Sequence, residues 1–276
     1  DYALEIIDEQ NLEVIVIQYN FSFFSLATLA AAIERLKATG KMAYVFFHST
    51  ADVILPEQTK TLASIQTQLA MLDRIFVHGI DDMNRLKSWN LIDNVTYFPH
   101  GIALSPAPVN IPRALSSGAE KVIIASYGFL LPHKGIPELI EAFSLLNHSQ
   151  KNYHLLLLNA LYPVSVSSDL QHRCIKLIAD LGLKDKVTLI TDFLSDTDTL
   201  AALALANLIV FPYQQTQESS SAAVRVGLAS GRPVAVTPLT IFEDVEDAVT
   251  TLPGTSAKDL ACGIEQFLDA PLVFQE

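Results

Sequence analysis

At 276 residues, half of them apolar, the chain has enough material for two ordinary domains with sizeable cores; 30 Asp+Glu against 18 Lys+Arg give a net charge of -12. That balance carries no overall basic footprint, which argues against nucleic acid or an anionic membrane as the principal partner. No apolar run reaches the roughly 18 residues of a membrane helix. The acidic opening residues do not make a secretory signal, and Cys174 and Cys262 fit no metal spacing. The expectation is a soluble, reduced, cytoplasmic protein with two buried thiols, with peripheral membrane contact and oligomeric state left open.

Apolar runs of strand length alternate with helical patterns, the signature of repeated βαβ units and a parallel sheet. Strands are predicted at 12–18, 42–48, 74–77 and 95–98, with helices near 24–38, 57–72 and 81–89. Near-continuous Val/Ile/Phe runs suggest strands covered on both faces. The stretch SPAPVNIPRALSSGAE at 105–120 has no period and is rich in Pro, Gly and Ser, which marks a linker. A second series follows, with strands at 122–126, 153–159, 187–190, 208–212 and 234–237 and helices at 136–146, 170–180, 197–205, 219–229 and 258–268. The expected architecture is α/β: two doubly wound Rossmann-like domains, 1–104 and 121–276, with a ligand cleft between them.

Two turns carry the chemistry. In Gly128-Phe129-Leu130-Leu131-Pro132-His133-Lys134-Gly135 a strand ends and a helix opens, placing Lys134 where backbone N–H groups already favour anions. It is not a P-loop, because His133 precedes the lysine and Gly135 follows it. Taken alone, Lys134 reads by default as a solvated surface lysine. Glu218-Ser219-Ser220-Ser221 lies between an apolar strand and a helix. These residues suit a helix cap with a solvated carboxylate. They equally suit a cradle in which serine hydroxyls and free N–H groups hold phosphate oxygens while Glu218 accepts from sugar hydroxyls. His48 ends the strand at 42–48, where a lone histidine is more often structural than catalytic. His78, His133, His148, His154 and His172 are scattered without metal-ligand spacing, so no metal site is expected. Asp196 and Asp198 read as charges at a helix N-terminus.

Read together, ANLIVFPYQQTQESSSAAVRVGLASGRPVAV at 206–236 and YGFLLPHKGIPELIEAF at 127–143 resemble the nucleotide half of a retaining GT-B glycosyltransferase of family 4, the group 1 type. The resemblance implies transfer of a hexose from a nucleoside diphosphate sugar to a glycan, lipid-linked or other acceptor, with retention at the anomeric carbon and no cofactor. Gly128, Lys134 and Ser219 to Ser221 would hold the diphosphate, and lysine plus helix dipoles would serve in place of a metal ion. Glu218 matches the first glutamate of the family motif beside the donor sugar. His48 matches a histidine that family members place against that sugar. His100, in Phe98-Pro99-His100-Gly101-Ile102, matches a turn that is mainly structural.

The sequence departs from the family in places. Val226 stands where the second glutamate, the ribose ligand, is expected; Phe129 replaces a common basic residue; and Asn159-Ala160 replaces a glycine. Arg225, counted among the donor-binding residues, has three readings: compensating positive charge, solvent, or a neighbouring carboxylate. The family also begins with further βα units and a Gly-rich loop ahead of the segment that 12–19 resembles, so the expectation is an incomplete or trimmed member. The alternative reading is a catalytically degenerate GT-B-like binding or scaffold module.

Overall fold

The computed structural model describes residues 2–54, 57, 59–103, 121–146, 151–216 and 218–270; the linker expected at 105–120 lies outside them. The chain divides into two compact units, Asp1–His100 with Gln217–Ser220, and Gly101–Thr216 with Ser221–Glu276.

The first unit runs α1 (Tyr2–Glu9), β1 (Val14–Tyr19), α2 (Leu26–Ala38), β2 (Met42–Phe47), β3 (Val53–Ile54), β4 (Thr59–Lys60), α3 (Gln66–Ala70), β5 (Arg74–Val77), α4 (Ile80–Ser88) and β6 (Val95–Tyr97). Its sheet has the order β1-β2-β5-β6 with every pair parallel. Ser25 caps α2 by accepting from Thr28 N at 3.1 Å. The buried stripe Leu29, Ile33, Leu36 of that helix then meets Ile15, Tyr19, Val45 and Phe47 in one core.

Two expectations change here. Cover of the second face is partial on β1 and β2: Ile15, Ala43, Val45 and Phe47 are buried, Tyr44 and Phe46 half-buried, and Val14, Val16 and Met42 exposed. Period-two side chains sort to opposite faces, and the core cluster lies on one of them. The helix expected at 57–72 is shorter. Thr59 and Lys60 pair antiparallel with Ile54 and Val53, the Thr61 hydroxyl accepts from Ala63 N at 3.3 Å, and a 3-10 turn at Leu62–Ile65 leads into α3. The β-branched threonines favour the hairpin and the cap over a helix interior.

The second unit runs β7 (Val122–Phe129), α5 (Ile136–Leu146), β8 (Tyr153–Ala160), α6 (Ser165–Asp180), β9 (Val187–Ile190), α7 (Asp196–Leu203), β10 (Leu208–Phe211), α8 (Ala222–Ala229), β11 (Val234–Val236), β12 (Thr250–Thr251) and α9 (Ala257–Asp269). Its parallel sheet has the order β12-β11-β10-β7-β8-β9. Here both faces are covered. Ile124, Leu155, Leu157, Leu208 and Val210 pack with α5, α6 and α9, and the intervening Ile123, Ala125, Leu156, Leu158, Ile209 and Phe211 pack with α7, α8 and the 3-10 segment Thr240–Ala248. Strict alternation along each strand feeds two cores from one sheet.

The cysteines also differ from expectation: Cys174 is buried in α6, but Cys262 on α9 is exposed. Among the described residues no helix is long and apolar enough to cross a membrane.

Candidate active site

The strand order of the second unit places its site. The chain builds β7, β8 and β9 outward in one direction, then returns to lay β10 on the other side of β7. The carboxyl ends of β7 and β10 therefore flank the point where the order reverses, the place where open α/β sheets leave a crevice for ligands. The loops leaving these two strands hold the Lys134 and Ser221 motifs.

Those loops are fastened to each other. After β7, Pro132–Lys134 forms a 3-10 turn that ends at Gly135 with φ +68°. A Cβ at Gly135 would sit 1.8 Å from the Pro212 carbonyl oxygen, so only glycine lets the turn lie against the end of β10. Gln214 N donates to the His133 carbonyl at 2.8 Å, and the Gln214 side chain donates to the carbonyls of Pro212 at 3.0 Å and Thr255 at 3.2 Å. The glycine carbonyl accepts from Leu139 N at 3.0 Å, which launches α5 directly from the turn.

Lys134 lies half-buried with its Nζ 4.0 Å from the centre of the Tyr213 ring, within reach of a cation–π attraction. Tyr213 is buried; its hydroxyl lies 3.0 Å from Ser221 Oγ, and its carbonyl accepts from Thr237 Oγ1 at 2.8 Å. Ser221 is the N-cap of α8 and accepts from Val224 N at 3.3 Å. One tyrosine thus connects the lysine to a helix N-terminus, bringing an ammonium and a set of amide dipoles of the same sign to one crevice. Helix α8 begins at Ala222, later than the expected 219, because Ser221 takes the cap.

Arg225 resolves among its three readings. It is buried, donates to the Ser221 carbonyl at 2.7 Å, and forms a buried ion pair with Asp244. Its charge faces a neighbouring carboxylate and the backbone of the cap, so its contacts secure the start of α8. Val226 is half-buried in the apolar cluster beside α7 and the 3-10 segment. Gly128 is the penultimate residue of β7 at φ +132°, with Ala223 Cβ 3.5 Å from where its own Cβ would stand. Ser219 and Ser220 are half-buried and Glu218 is exposed; these three residues group with the first unit. The Ser219 hydroxyl is buried without a hydrogen-bond partner among the described residues. Asp196 and Asp198 occupy the first turn of α7, where Ser195 caps the helix through Asp198 N at 3.1 Å.

His48 belongs to the first unit. It follows β2, its backbone N–H donates to the Tyr19 carbonyl at 3.1 Å, and its Nε2 lies 2.8 Å from Gln18 Oε1. Burial, with the nearby His78 ring adding to it, holds the His48 pKa below its ordinary value. The sequence reading missed the company it keeps: His78 follows β5 and His100 lies beyond β6, and one ring nitrogen of each of the three histidines lies within 4.8 Å of the others. Asn159 was also passed over except as a missing glycine. It is the penultimate residue of β8, opposite Gly128, and both polar atoms of its buried amide lack a partner among the described residues.

Residues 110–273, more than half of the chain, match the family described as Glycosyl transferases group 1. The chain belongs to that family. Among solved structures, this group 1 glycosyltransferase is similar to a glycosyltransferase from Rickettsia africae at 17% identity, covering 97% of this chain and 69% of that one with a TM-score of 0.75. It is equally similar in shape to the sucrose-phosphate synthase of Thermosynechococcus elongatus, at 20% identity, with 96% and 67% of the two chains covered and a TM-score of 0.75. Anabaena HepE in complex with UDP matches at 14% identity, 97% and 72% coverage and a TM-score of 0.72. At such identities the likeness establishes the GT-B fold. No curated protein sequence matches the chain.

Proposed function

We propose that this chain is a retaining hexosyltransferase of family 4 that works in the cytoplasm. It moves a hexose from a nucleoside diphosphate sugar to a glycan or lipid-linked acceptor without a metal ion at the diphosphate. The observation that carries this reading is the pairing of Lys134 with the capped start of α8 through Tyr213 at the switch point. When the bond from the anomeric carbon to the diphosphate breaks, negative charge grows on the leaving oxygen. A fixed ammonium and a fixed set of amide dipoles stabilise that charge without reorganising. Glu218 and His48 are the groups that orient the sugar, and Arg225 acts as a positioning residue by holding the Ser221 carbonyl and Asp244. The UDP in the complex of the Anabaena relative makes UDP-sugars the first donors to try.

Calorimetry with UDP-, GDP-, ADP- and dTDP-sugars tests this. One donor should bind, and Lys134→Ala should weaken it about 10- to 100-fold, the range set by roughly 1.5–3 kcal/mol for a hydrogen bond to a charged group. Unchanged affinity in that variant removes Lys134 from the site. Transfer should persist in a chelator. A second reading, a binding or scaffold module, is favoured by one observation: Val226 packs in an apolar cluster at the position where the family's ribose carboxylate is expected. Absence of binding to every donor by the folded protein decides for that reading.

A further inference from the structure

We propose that His48, His78 and His100 form a binding site for a divalent transition-metal ion of the zinc class at the carboxyl edge of the first sheet. The three residues follow β2, β5 and β6, which are consecutive neighbours in that sheet. Parallel pairing therefore carries their imidazoles to the same edge. One ring nitrogen from each lies within 4.8 Å of the other two. A tetrahedral ion with Zn–N bonds of about 2.0–2.1 Å needs its nitrogens about 3.3 Å apart, so a shift of about 1.5 Å closes the set.

The hydrogen bonds around the rings already sort the nitrogens. A carbonyl oxygen can only accept, so the contact of 2.8 Å between His78 Nδ1 and the Phe98 carbonyl puts the proton on Nδ1 and the lone pair on Nε2. Gln18 Oε1, 2.8 Å from His48 Nε2, likewise accepts and puts the lone pair of that ring on Nδ1. Such an outer oxygen, fixing tautomer and ring orientation, is the arrangement found behind metal-ligating histidines. The rings of His78 and His100 are stacked, with centroids 3.7 Å apart and planes at 20°. Both can face one ion only if the His100 ring turns about χ2, a soft torsion, and His100 is half-buried at the end of a strand rather than locked in a core. Three imidazoles with no carboxylate among them favour zinc, cobalt, nickel or copper over magnesium or calcium. An ion held there ties three strand ends together, so its binding also stabilises the fold.

Cobalt(II) provides the probe. Titrating the tag-free full chain with Co2+ should give visible d–d absorption that saturates near one equivalent and is bleached by Zn2+, and the thermal midpoint should rise with added Zn2+. His100→Ala and His100→Gln should each weaken cobalt binding by at least about a hundredfold, since loss of even an outer-shell partner costs 10- to 100-fold. Using both variants keeps the test decisive if one of them folds poorly. Absence of d–d bands at millimolar cobalt, or bands unchanged in a folded His100 variant, overturns the site and leaves the three rings as a stacked aromatic cluster. Neither readout involves sugar transfer, but His48 is shared: with Nε2–H on Gln18 and Nδ1 on an ion it has no nitrogen left for a sugar, so a positive titration removes His48 from the sugar site and leaves the Lys134 and Glu218 assignments to their own test.

Discussion

The first sheet advances through β1, β2, β5 and β6 in spatial order, and what its carboxyl edge offers is side chains: three imidazoles from three neighbouring strand ends. The second sheet reverses at β7 and β10, and its edge offers mainly backbone: a glycine turn pressed on a carbonyl, an amide bonded across to the other loop, and the capped start of α8. A monotonic order leaves strand ends side by side, so residue identity decides what gathers there. A reversal opens a crevice that exists whatever the side chains are, and residues such as Lys134 and Arg225 sharpen it. The first edge should therefore tolerate side-chain loss without unfolding, and the second should not tolerate changes to what fixes its loops.

The largest expected effect is at Asp244. Removing it takes the carboxylate partner from the buried Arg225 guanidinium, whose side chain is only 5% exposed, and Asp244→Ala should cost about 3–5 kcal/mol in denaturant unfolding. A loss below 1 kcal/mol would mean that the second edge does not depend on this pair. Next comes Gly135→Ala, on the order of 3 kcal/mol, because a left-handed residue acquires a Cβ that overlaps Pro212. Gly182→Ala is the control: the same φ of +68° with nothing within 4 Å should cost only about 1 kcal/mol. Equal costs at the two glycines would deny that the loops are in contact.

A smaller effect is expected at the opposite end of the first sheet. Asp73 accepts from Lys37 Nζ at 2.7 Å and from Ala43 N at 2.8 Å, and the Lys37 ammonium, with help from Ala43 N, holds its pKa below the ordinary 3.8. A carboxylate with a depressed folded pKa adds stability above its unfolded pKa and loses it as pH falls through the folded value. Asp73→Asn should thus cost roughly 0.5–1 kcal/mol at neutral pH, and the two proteins should converge as pH falls below 3.8. A gap that persists in acid would assign the effect to packing. Least disruptive is thiol labelling: burial pushes the Cys174 thiol up to about 11, so at pH 8 the folded protein should show one fast-reacting thiol, Cys262, and the second only on unfolding.

Much of this was legible from the sequence where periodicity and local chemistry act alone. Most strands and helices of the second unit fall near where apolar periodicity placed them, although α6 starts at Ser165 ahead of the expected 170 and neither β12 nor the 3-10 segment Thr240–Ala248 was expected, and the Lys134 turn and Ser221 cap were visible as punctuation between elements. Features set by non-local partners were not. Arg225 finds Asp244 19 positions away, beyond β11, and no local pattern selects that carboxylate from several nearby acids. The histidine cluster was hidden because strand periodicity says nothing about which strands are neighbours; the signal that could have revealed it is the recurrence of a histidine just beyond three strand ends in turn. The partly covered face of β1 and β2 was misread because a short apolar run looks the same whether one side or both are covered.

The switch point also bears on the order in which the chain folds. Ile123 N donates to Asn207 Oδ1 across 84 positions of sequence, and β7 meets β10 only after the chain has passed through β8 and β9. Long-range parallel pairings form late, since their loop-closure cost precedes any reward. The crevice between the Lys134 and Ser221 loops is consequently completed when that late strand docks. Recovery of donor binding during refolding should lag behind recovery of helical signal, making the ligand a reporter on the last step of assembly of this unit.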